Sequence, residues 1–103
     1  MSKEILIGSS RSIGDGITTV TSAGTAVRIT THSTKCRRVW VQALDNNTGT
    51  IVVGSASVVA TQATRRGKAL ASGQGDWFYV ADVSMLYFDA TADSQKFTYY
   101  IEY

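Results

Sequence analysis

Apolar and polar positions alternate with a two-residue period along much of this chain, and the apolar runs are short, set apart by clusters of glycine, serine, asparagine and aspartate. The clearest stretch is Val39 to Gly54. In its first arm Val39, Val41 and Ala43 point one way and Trp40, Gln42 and Leu44 the other, so both faces carry apolar area and a central strand is predicted. Its second arm, Ile51-Val52-Val53-Gly54, is an unbroken apolar run of the kind found inside a sandwich. Between them Asp45-Asn46-Asn47-Thr48-Gly49 supplies residues that tolerate turn conformations, which predicts a central hairpin with Trp40 and its β-branched neighbours in the core.

The rest of the chain reads the same way. Ile5-Leu6-Ile7 predicts a short first strand or a pairing arm, and Gly8 to Gly16 a loop. Two Thr- and Val-rich runs, Ile17 to Thr21 and Ala26 to Thr31, predict a second hairpin around Ser22-Ala23-Gly24-Thr25. Ser55 to Gly67 is rich in serine, threonine and valine, which disfavours a helix and predicts an extended connection. Three strand-like runs follow, Asp76 to Val80, Met85 to Ala90 and Lys96 to Tyr103; in the last, Phe97, Tyr99, Ile101 and Tyr103 share one face. The sum is an all-β fold, a β-sandwich or jelly-roll-like barrel of about seven to nine antiparallel strands, with residues 1–16 as arm and loop and 17–103 as one domain.

Composition narrows the functional classes. A hydrophobic content of 44% suits a globular domain rather than a disordered one. The formal charge of +2 lacks the basic excess of a polyanion binder, so no nucleic-acid partner is expected. The three apolar residues after Met1-Ser2-Lys3-Glu4 fall far short of a signal-peptide core or a membrane span, so neither export nor a membrane partner is expected. A single cysteine, Cys36, rules out an internal disulfide framework; it reads as a small, semi-apolar strand residue, with an intermolecular bridge left open. Proline is absent, although it commonly guards exposed sheet edges, and edges left unguarded suit pairing with another subunit.

Motifs for catalysis or cofactors do not assemble. Gly14-Asp15-Gly16 and Gly73-Gln74-Gly75 resemble the start of a phosphate loop, but Thr19 and Phe78 stand where the third glycine belongs, and turn glycines are the better reading. His32 is the only histidine, so neither a histidine metal cluster nor a Ser-His-Asp triad can be drawn within one chain; a solvated loop residue is expected. Asp76, Asp82, Asp89 and Asp93 are spread over turns and strand ends and read as solvated acids. Asn46-Asn47-Thr48 fits a glycosylation acceptor but reads as turn chemistry. No enzyme, cofactor or metal is expected. The concentrated charge, Arg37-Arg38 and Arg65-Arg66 with Lys68 nearby, together with Trp77, Phe78 and Tyr79, fits a protein interface better than a stacking surface for single strands, because arginine and tyrosine are enriched where proteins meet.

The order VWVQALDNNTGTIVVGSASV (39–58), GKALASGQGDWFYV (67–80) and VSMLYFDATADSQKFTYYIEY (83–103) resembles a small β-sandwich type common among virion proteins of tailed bacteriophages. In that type a strand ending near an Asn-Thr-Gly turn leads to a Val-Gly-Ser segment, a Leu-x-x-Gly turn, an aromatic strand and a closing strand with alternating aromatics. The resemblance spans residues 38–103 and transfers no catalytic residue. It implies a head decoration, or cement, protein: made in the host cytoplasm, located on the capsid surface of the virion, often a homotrimer, and bound to the major capsid protein. On that reading Ile5, Leu6, Ile7 and Arg11 of the arm, with Arg37, Arg38, Arg65 and Arg66, form the protein interface. The alternative is a tail, baseplate or fibre module binding host-surface glycan through Trp77 or Tyr79, or binding another virion protein.

Overall fold

The computed structural model describes residues 12–103. Seven strands form two antiparallel sheets: β1 (Ile13–Val20), β2 (Arg38–Ala43), β3 (Ile51–Gly54), β4 (Lys68–Leu70), β5 (Gly75–Phe78), β6 (Tyr87–Ala90) and β7 (Gln95–Glu102). The four-stranded sheet has the order β1-β7-β2-β5 and the three-stranded sheet the order β4-β3-β6. Helical structure among the described residues is limited to two single 3-10 turns, Gln62–Thr64 and Val83–Met85. The predicted all-β sandwich is the fold observed.

The two-residue period places the core. Val39, Val41 and Ala43 of β2 are buried together with Val20, Phe97 and Ile101 from the same sheet; Ile51, Val53, Leu70, Phe88 and Ala90 come from the opposing sheet. Where the sheets meet, Phe88 and Phe97 stack with ring centroids 4.1 Å apart. Tyr99 and Tyr103 pack against this core from the inward face of β7, as the alternation in that strand predicts. β3 is buried on both sides because Val52, pointing away from the main core, is covered by Val58 and Ala60. Removing each such aliphatic side chain from water contributes roughly 1.5–3 kcal/mol.

Val39 to Gly54 is not a hairpin. β2 and β3 lie in different sheets, so residues 44–50 form an arch that crosses the sandwich. Asn47 fixes that arch to the start of β7: its side-chain amide donates to the Lys96 carbonyl at 2.8 Å and its Oδ1 accepts from the Lys96 N–H at 3.0 Å. Residues 45–49 turn as their composition predicts, but a turn signal does not say whether the second arm returns to the same sheet. Trp40 also departs from expectation: it lies on the outward face of β2, half-buried against Trp77, rather than in the core.

The second predicted hairpin is absent as well. β1 pairs with β7, from Ile13 opposite Glu102 to Val20 opposite Gln95, while the run from Ala26 to Thr31 contributes a single bridge between Val27 and Phe88. β1 begins at Ile13, so the loop read as far as Gly16 ends earlier, and Gly14 and Gly16 are strand residues rather than turn glycines. They pass beneath tyrosines: a Cβ at Gly16 would stand 2.4 Å from the Tyr99 hydroxyl, and one at Gly14 would stand 2.9 Å from that of Tyr103. Ring cover over strand glycines compensates for their missing side chains.

Candidate functional site

The two sheets differ in how their outward faces are treated. On the three-stranded sheet, the connection from residue 55 to 67 folds back over Val52; it is not extended throughout, because the 3-10 turn Gln62–Thr64 lies between Val59 and Arg66, which close it by a bridge. A buried carboxylate holds this cover down. Asp89, only 4% exposed, accepts from the Gly24 N–H (2.8 Å) and the Ala90 N–H (2.8 Å) through Oδ1, and from the Ala60 N–H (2.9 Å) through Oδ2. It is not the solvated acid expected from its place in the sequence. Three backbone donors replace the water that this side chain loses on burial.

The outward face of the four-stranded sheet carries no such cover among the described residues. Alternation assigns to it Ile13, Asp15, Ile17 and Thr19 of β1, Lys96, Thr98, Tyr100 and Glu102 of β7, Arg38, Trp40 and Gln42 of β2, and Trp77 beside Trp40. Ile13 and Ile17 are 58% and 57% exposed. Trp77 sits edge-on to both Trp40 and Tyr100, with centroids 5.4 and 6.0 Å apart. A sheet face meeting water normally shows polar side chains, so the aromatic row with isoleucines beside it is the candidate site of the described residues.

Arg38 organises one end of that row. Its Nε and Nη2 donate to the two carboxylate oxygens of Glu102, at 2.7 and 3.1 Å, and its guanidinium lies 3.8 Å from the Trp77 ring centroid. The hydrogen bonds to Glu102 and to the Tyr79 hydroxyl raise the Arg38 pKa further above its already high value. The bidentate pairing open to an arginine here is thus made within the chain. Arg37 is exposed beside it.

Arg65 and Arg66 lie on the other side of the sandwich, in the segment that covers the three-stranded sheet. Arg65 donates from Nε and Nη2 to the Ala60 carbonyl at 3.1 and 3.0 Å. With Thr50, Gln62 and Thr91 it lines an open, polar hollow of about 500 Å³. Arg66 is exposed, its backbone paired with Val59. The two arginine pairs therefore do not form one patch. Ile5, Leu6, Ile7 and Arg11 lie outside the described residues.

The remaining candidates serve the scaffold. Cys36 is half-buried and donates its thiol to the Val80 carbonyl at 3.2 Å; burial, and secondarily Asp82, push its pKa up, away from thiolate reactivity. His32 is exposed in the connection before β2. Asp82 gathers hydrogen bonds from Ser33 Oγ, the Thr34 N–H, and the N–H and Oγ of Ser84, which hold its pKa well below the usual carboxylate range. Asp76 is lowered too, first by its side-chain contact with Lys68 and then by the Trp77 N–H. Among the described residues no three His, Cys, Asp or Glu side chains stand close enough together to hold a metal ion.

The aromatic face was half legible in the sequence. Alternation set Trp40 on the face opposite Val39 and Val41 but did not say that this face lies outside the core, and nothing local revealed that Tyr100 and Trp77 would line up with it, because their strands are brought together only by non-local pairing. Comparison of the chain with protein-family models, with curated proteins and with solved structures returned no match.

Proposed function

We propose that the chain is a non-enzymatic structural virion protein that decorates the outer surface of a tailed-phage head and braces the shell, with the major capsid protein as its partner. The observation that carries this reading is the outward face of the four-stranded sheet, left uncovered among the described residues, where Ile13, Ile17, Tyr100, Trp40 and Trp77 stand in the place of polar side chains. The sequence resemblance over residues 38–103 supports it independently. A partner that binds only the folded domain stabilises it by mass action, and the shell gains the same free energy in return.

Binding of host glycan is the second reading, favoured by the 73% exposed Tyr79 and by the aromatic row itself. The Arg38 guanidinium over one face of Trp77 weighs against it, since a sugar would need that ring face free. Add-back of the purified protein to capsids lacking it separates the two. Saturable binding, a higher temperature of DNA release, and loss of both on Trp40→Ala are expected. Particles equally heat-resistant with and without bound protein, or binding to a glycan array but not to capsids, would sink the decoration reading.

A further inference from the structure

β1 is an eight-residue edge strand whose pairing with β7 runs without a bulge from Ile13 to Val20. The Tyr103 N–H donates to the Ser12 carbonyl at 3.0 Å, so by antiparallel alternation Gly14, Gly16, Thr18 and Val20 also turn their backbone groups toward β7. Ile13, Asp15, Ile17 and Thr19 then turn theirs toward the free edge, and no described strand pairs there. Natural sheets guard such an edge with proline, lysine, a bulge or brevity. β1 has none of these; Asp15 is its one charge.

We infer that two copies of the chain pair antiparallel through this edge about a two-fold axis at Ile17, joining their four-stranded sheets into one of eight strands. Backbone complementarity requires odd-numbered residues to face odd-numbered residues, which leaves few registers. A register centred on Asp15 opposes two carboxylates, and one centred on Gly16 sets each Asp15 against an isoleucine. The register centred on Ile17 sets Ile17 against the partner's Ile17, and Asp15 against the partner's Thr19. That threonine stands beside Lys96 of its own β7. Lys96 is exposed on the same outward face, about 9–10 Å away at two inter-strand spacings, a gap that a lysine and an aspartate side chain together close. The two-fold makes this charge pair twice. The outward faces of both copies become continuous, so the two aromatic rows share one surface.

The pairing does not depend on the virion reading, and solution measurements on the full chain test it alone. Sedimentation and light scattering should show a concentration-dependent dimer that weakens in high salt. Lys96→Asp should raise the dimer dissociation constant about tenfold, since two attractive pairs become repulsive, and adding Asp15→Lys should restore most of the loss. Ile17→Lys, which opposes like charges at the axis, should weaken the dimer at least as much. Hydrogen exchange supplies the second readout: amides of Ile13, Asp15, Ile17 and Thr19 should be protected in the dimer and exposed in Ile17→Lys, with those of Gly14, Gly16 and Thr18 protected in both. A monomer at all concentrations, a trimer, an association indifferent to the charge reversal, or a monomer with the odd-numbered amides already protected, which would assign the edge to residues 1–11 of the same chain, would each overturn it.

Discussion

Asp89 shows how much of this fold hangs on single side chains. It ties the turn at Gly24 and the segment at Ala60 to β6, contacts separated in sequence by 65 and 29 residues. Asp89→Ala would leave three backbone donors without their acceptor and is expected to cost about 3 kcal/mol in urea unfolding; Asp89→Asn, which keeps one acceptor oxygen, should cost about half of that. Asp82 predicts a pH dependence. Its folded pKa lies below the unfolded value of about 4, so the folded state binds fewer protons, and its contribution is complete above that unfolded value. That contribution is lost as the pH falls below about 4 toward the lower folded pKa; Asp82→Ala should accordingly flatten the acid limb of a plot of melting temperature against pH. Neither role was legible in the sequence. An isolated aspartate carries no sign of which distant N–H groups will reach it.

At the scale of elements, legibility followed the period. β2, β3 and β7 were readable because strict alternation or an unbroken apolar run states which faces are buried. β1 was misread at its start because glycine at positions 14 and 16 looks like punctuation, whereas here it makes room for Tyr103 and Tyr99. The predicted hairpins failed for a different reason: chain neighbours were assumed to be sheet neighbours, and both turns lead across the sandwich instead. One glycine does bear a conformational constraint in the approach to β4. Gly67 has φ of +125°, and a Cβ there would lie 2.6 Å from the Val53 carbonyl oxygen. Gly67→Ala should therefore destabilise the domain by about 2 kcal/mol or more in chemical denaturation, with the loss of protection starting in the β3–β4 pair.

Taken whole, the molecule is closed by its most distant pairing. β7 lies between β1 and β2, so the four-stranded sheet cannot form until the last strand is in place. Refolding is expected in milliseconds to seconds, as for other domains built on non-local pairing. With no proline in the chain, stopped-flow traces should lack the phase of tens of seconds that prolyl isomerisation adds. Truncation after Ser94 removes β7 together with Phe97 and Ile101 and should leave a chain without a cooperative thermal transition by circular dichroism.

Both tryptophans of the chain, Trp40 and Trp77, stand together on the outward face and not in the core. The protein thereby carries its own optical probe, placed where a partner would arrive. Intrinsic emission should shift to the blue when that face is covered and should change little when a core valine is shortened. A titration against capsid can then be followed on the natural chain without a label, whereas pairing through the β1 edge, two strands away from Trp40 and three from Trp77, should leave the emission nearly unchanged.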